Sequence, residues 1–136
     1  MARKILDELG AQGAQGTWNM VEDTDERHPA WAVERDIYGF DSRDTWSLDS
    51  TMMELLYERL VMFKKRSYDM VDLSSSLVKI DGEVRSVDNV LDELIELSRT
   101  VIVNQNSSDP MNEAEVHAVA KRVWSIWTQA FQSFWW

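Results

Sequence analysis

Three segments of this chain repeat apolar residues at spacings of three and four, a rhythm that commits it to a helical architecture. From about Ser47 to Lys65, Leu48, Met52, Leu55, Leu56, Leu60 and Phe63 form one stripe, expected to face a core. Asp44, Thr45 or Ser47 can cap this helix, Asp49 suits its first turn, and Lys64-Lys65-Arg66 suit its last. From about Ser86 to Val103, Val87, Val90, Leu91, Leu94, Ile95, Ser98, Val101 and Ile102 make a second stripe, with Asp88, Asp92, Glu93 and Glu96 opposite. After a loop at 104–110, with Pro110 suited to a first helical position, the third helix runs from about Asn112 to near the end. Its stripe is Val116, Val119, Ala120, Val123, Trp124, Trp127, Ala130, Phe131, Phe134 and Trp135. Three such helices bury their stripes only against one another, so the expected fold is all-α, a compact bundle of three main helices.

The chain of 136 residues matches one domain in length. Residues 3–9 suit one or two helical turns with Ile5, Leu6 and Leu9 on one side, and the Gly-Ala-Gln tandem that follows reads as a flexible joint. The expected organisation is therefore residues 1–16 as helix turn and joint, and 17–136 as a single helical domain. Between the helices, residues 67–85 suit a helical extension or a short helix, and Ile80-Asp81-Gly82-Glu83-Val84 carries the signal of a turn or small hairpin. The N-terminus has no signal-peptide pattern, and no stretch approaches the roughly 18 apolar residues of a membrane span.

The absence of Cys excludes a thiol nucleophile, a disulfide framework and thiolate metal sites, and fits a cytoplasmic protein. A net charge of −10 disfavours direct binding to nucleic acid, because such binding depends on Lys and Arg displacing counterions from phosphates. It favours a basic partner or mimicry of a polyanion. The charge is concentrated: from Glu22 to Asp49 there are nine acids against three Arg, a local net charge of −6. No period is visible over 17–46, whose scattered aromatics suggest an ordered, irregular segment wrapped on a core. Within it Asp36, Tyr38, Asp41, Arg43, Asp44, Trp46 and Asp49 are the candidate partner-binding residues, with Trp46 and Tyr38 as anchors and the carboxylates meeting a basic surface. A purely structural use of the same residues has Trp46 and Leu48 packing inward, Asp44 capping, and Asp41 paired with Arg43.

The stretch Asp36-Ile37-Tyr38-Gly39-Phe40-Asp41-Ser42-Arg43-Asp44-Thr45-Trp46-Ser47-Leu48-Asp49 resembles a signature of small proteins encoded by tailed bacteriophages and prophages, where it introduces a long helix. Val90 to Ile95 and the aromatic ending, Ala120 to Trp136, resemble that family's second and third helical motifs, so the likeness covers about residues 36–136, with the middle loop diverged. Glu58-Arg59-Leu60 stands where the family more usually has Pro-Arg-Leu, which leaves this helix unbroken by proline. The resemblance implies a phage origin, a helical fold and little chemistry.

No catalytic constellation emerges. The two histidines, His28 and His117, have no nucleophile motif beside them, and glycine-rich phosphate loops are absent. Asp41, Asp44 and Asp49, or Asp88, Asp92, Glu93 and Glu96, offer hard oxygen ligands for magnesium, the latter set resembling the carboxylate helices of all-α nucleotide pyrophosphatases. The helical acids lie opposite the apolar stripe and read as a solvated face, so no metal or other cofactor is expected. Of the terminal aromatics, Trp135 and Trp136 cannot both turn inward on one face, which makes them candidates for an oligomer or partner contact.

These readings converge on a non-catalytic, phage-encoded protein of the host bacterial cytoplasm. It is expected to inhibit a host protein with a basic surface, such as a CRISPR effector, through an acidic, aromatic-anchored mimic of nucleic acid. Two alternatives remain: a sponge for a nucleotide immune signal, with Arg35, Arg43, Arg59, Lys121 and Arg122 available to phosphates, and a phage structural or assembly accessory.

Overall fold

A computed structural model describes residues 4–9, 21–105 and 107–136. The chain is mostly helical. Its elements are α1 (Lys4–Asp7), α2 (His28–Tyr38), a 3₁₀ turn (Ser42–Thr45), α3 (Leu48–Ser67), β1 (Leu77–Ile80), β2 (Glu83–Ser86), α4 (Val87–Gln105), α5 (Glu113–Ala130) and a 3₁₀ turn (Phe131–Ser133). The expectation of three main helices is therefore too few: α2 is a fourth, and a two-stranded sheet is added. The Gly-Ala-Gln joint lies outside the described residues.

The hairpin follows from its turn chemistry. Asp81 and Gly82 both have positive φ, 53° and 82°, as a two-residue loop between right-twisted strands requires. The strands pair antiparallel from Ile80 with Glu83 to Leu77 with Ser86. Gln129 ties the loop to α5: the Asp81 N–H donates to its Oε1 at 2.8 Å, and its Nε2 donates to the Asp81 carboxylate at 3.1 Å. Residues 68–76 hold turns and irregular chain instead of the expected helix.

Two boundaries differ from expectation for identifiable reasons. α5 begins at Glu113 because Asn112 caps it, its Oδ1 accepting from the Glu115 N–H at 2.9 Å; Pro110 precedes the helix. The helix ends at Ala130, and the tightened turn beyond it carries Phe134 into an extended conformation, off the helical stripe.

α4 is the centre. It packs closely along both α3 and α5, whereas α3 and α5 make no comparable approach to each other. Its stripe is buried as expected from Val87 to Ile102, and the Ser98 hydroxyl within that stripe is satisfied by donating to the Leu94 carbonyl at 2.6 Å. α1 packs on α3 and places Leu6 in the same core, so the N-terminal turn shares the core of the helical domain.

The other two stripes hold only in part: Leu60 on α3 and Val123 and Ala130 on α5 are buried as expected, and their neighbours in the stripes are not. On α3 the buried apolar residues are Met53, Tyr57 and Leu60, while Leu48 is 56% and Met52 48% exposed. On α5 they are Val123, Ile126 and Ala130; Trp124 and Trp127 are only half-buried and Phe131 is exposed. Each helix is apolar on two neighbouring faces; on α5 the face of smaller side chains took the core, and on α3 the face of Met53 and Tyr57 did. Ile126→Ala should cost about 2–5 kcal/mol of unfolding free energy, as a fully buried large-to-small change does. Leu48→Ala should cost no more than about 0.5 kcal/mol. Urea denaturation of the two variants checks this assignment of faces.

Candidate functional site

The acidic segment is ordered around a compact knot of arginines and tryptophans. His28 and Pro29 begin α2, and Gly39 ends it in the left-handed conformation at φ 82°, its N–H donating to the Arg35 carbonyl at 2.9 Å. The Gly and Pro of this region are thus the two ends of a helix, and the expectation of an irregular segment is corrected. Trp31 is the one buried residue of α2. Its ring meets Trp46 edge to face at 5.7 Å and His28 at 5.0 Å, and the guanidinium groups of Arg43 and Arg27 lie over it at 4.6 and 5.0 Å.

Asp41 anchors the knot. It is 0% exposed and sits at the N-cap of the first 3₁₀ turn. Its carboxylate accepts from the Arg43 backbone at 2.9 Å, from Arg43 Nη2 at 2.7 Å and from Arg35 Nε at 2.7 Å. Its own N–H donates to the Asp44 carboxylate at 2.9 Å, closing a capping box. Burial pushes the Asp41 carboxyl up, but the hydrogen bonds from Arg43 and the charges of Arg35 and Arg43 outweigh it and hold the group below the ordinary carboxylate range.

Of the candidate partner-binding residues, the structure therefore separates two groups. Asp41 is internal, and its assignment to a contact surface is corrected: a carboxylate with no exposed area and two arginines on it has nothing left to offer a partner. Arg43 and Asp44 are partly buried in the same network, and Asp44 also faces Arg35 at 3.6 Å. Trp46 is half in, with its edge on Trp31 and the Arg27 guanidinium 5.5 Å from its ring centre. Asp36, Tyr38 and Asp49 are exposed, as are Trp135 and Trp136. Leu48 does not pack inward, and Ser47, not Asp44, stands at the N-cap of α3. Sequence reasoning missed Trp31, Arg35 and Arg27 as partners in this network; three Trp and three Arg within thirty residues of one another were the available signal.

The misplaced stripes of α3 and α5 face each other. Between the two helices lies an open groove of about 450 Å³. α3 contributes Met52, Leu55, Leu56, Arg59, Leu60 and Phe63; the far wall is Trp124, Trp127 and Phe134. Phe134 stacks on Trp127 at 5.8 Å and meets Phe63 edge to face at 5.7 Å, which braces the end of the groove.

Among the described residues no group of three His, Asp or Glu converges as a metal site. The helical acids are partnered instead: Asp92 with Lys64 at 2.6 Å, Glu93 with Arg85 at 2.5 Å. No described helix is long and apolar enough to cross a membrane. No protein-family model, curated protein or solved structure matches the chain.

Asp41→Asn should destabilise the fold by roughly 2–3 kcal/mol, less than a fully buried ion pair because Arg35 stays partly in water. The pH dependence has a definite sign. The folded carboxyl titrates below its unfolded value of about 3.9, so its contribution is complete above that pH and is lost as pH falls through the lower folded value. Denaturation measured from neutral pH into acid should therefore show a shallower acid loss in Asp41→Asn than in the native chain.

Proposed function

We propose that this chain is a non-catalytic binding protein that inhibits a host nucleic-acid-handling protein, such as a CRISPR effector, by presenting the acidic surface of residues 22–49 to its basic groove. One observation carries the reading: the three arginines of this segment are engaged within it, on Asp25, Asp41 and Asp44. Glu22, Asp23, Glu26, Asp36 and Asp49 are exposed and have no salt bridge among the described residues. The knot thus withdraws positive charge and leaves a rigid, net-negative surface, which favours fast, salt-dependent association with a basic partner. Exposed Tyr38, beside Phe40 at 6.1 Å between ring centres, supplies the apolar anchor. The likeness of residues 36–49 to proteins of tailed phages supports a target among the defences of a bacterial host.

The sponge reading is less well supplied. Of its five cations, Arg35 and Arg43 are engaged on Asp41, Arg122 on Asp81 and Arg59 on Glu58 at 3.8 Å.

Affinity capture from bacterial lysate, followed by binding measurements on the recovered protein at low and high salt, tests the proposal. The double variant Asp36→Lys, Asp49→Lys should bind at least about tenfold more weakly at low salt and with a flatter salt dependence. Unchanged affinity and unchanged salt dependence would overturn it.

A further inference from the structure

Two surfaces of this chain complement each other. The groove between α3 and α5 is apolar, contains one charged residue, Arg59, and no carboxylate. Arg66, seven residues beyond Arg59 and so on the same side of α3, is exposed, as is Lys121, one turn before Trp124 on α5. In a chain of net charge −10, this broad apolar groove has a border of Arg59, Arg66 and Lys121, with Glu58 3.8 Å from Arg59. It is also helix-shaped: α3 and α5 flank α4 and leave between them the slot that a fourth helix of a bundle would fill.

α2 has the opposite character. Ala30, Val33 and Ile37 follow one another at spacings of three and four; Val33 is 57% and Ile37 65% exposed. Phe40 extends this apolar face past the Gly39 cap, and exposed Asp36 and Glu26 flank it. Trp31, Arg27 and Arg35 are held on the other side, by the knot. The lengths also agree. At 1.5 Å per residue, the 11 residues of α2 span about 16 Å, and the groove from Met52 to Phe63 on α3 spans about 17 Å.

We propose that α2 of one copy lies in the α3/α5 groove of a second copy and reciprocally, giving a two-fold symmetric dimer with two identical helix-in-groove contacts. The symmetry follows because each chain carries both halves of the contact, and reciprocal exchange closes the assembly. Val33 and Ile37 enter the slot between Leu56 and Trp127, while Asp36 meets the cationic border at Arg59. Docking removes the exposed parts of both misplaced stripes from water, the burial that a lone chain leaves incomplete. The assembly and the host-inhibition reading compete for Asp36, and the assembly is measured on the purified chain alone, so its failure leaves that reading standing.

Sedimentation velocity of the full-length protein over a wide concentration range tests it. A concentration-dependent dimer is expected. Ile37→Glu, at a position already facing solvent, should weaken dimerisation at least about tenfold while the far-ultraviolet spectrum stays native. Asp36→Arg and Arg59→Glu should each weaken it, and the two together should restore it, a rescue that loss of folding cannot mimic. A native chain that stays monomeric throughout overturns the proposal, whatever else the groove accepts, and so does a dimer indifferent to Ile37→Glu and Arg59→Glu.

Discussion

Both flanking helices depend on the burial of α4. Val90, Leu91, Leu94 and Ile102 have almost no exposed surface, and α3 and α5 each lie along this one helix. α3 and α5 make no comparable approach to each other. Between them lies the aromatic groove, which side chains of Phe63, Trp127 and Phe134 line without closing.

The N-terminal part obeys a different constraint. Trp31 is buried outside the main core, among arginines and another tryptophan, and Asp41 binds the cluster by neutralising Arg35 and Arg43 at once. A buried charge pair of this kind contributes modestly to net stability, because desolvation offsets much of the attraction. Its structural effect is larger than its energy. It pairs all three arginines of a segment of net charge −6 with carboxylates of the same segment, while Arg27 and Arg35 keep part of their surface in water. The electrostatic character of the outer surface is set by an interaction inside it.

Legibility varied with how many faces of a segment were apolar. The α4 stripe could be read directly because Asp88, Asp92 and Glu96 mark its outer side. At Asp81-Gly82 a turn or small hairpin was legible, since few sequences tolerate two successive positive φ angles. On α3 and α5, by contrast, two adjoining apolar faces compete, and periodicity alone does not choose between them. Ile126 was missed for this reason: it lies between Trp124 and Trp127, which looked more like a core. α2 was missed because its outward face is the apolar one, and its single buried aromatic, Trp31, falls off that stripe.

The sequence by itself determined the helical class, the α4 stripe, the hairpin turn, the lack of thiol chemistry and the concentration of negative charge before α3. Those properties are local: each depends on residues within a turn or two, or on simple counts. Only the tertiary structure decided which face of α3 and of α5 is buried, that Asp41 is internal while Asp36 and Asp49 are not, and that two surplus apolar stripes meet across a groove. These are choices between alternatives of similar local energy, and they are settled by packing volume and by charge neutralisation between residues distant in the chain.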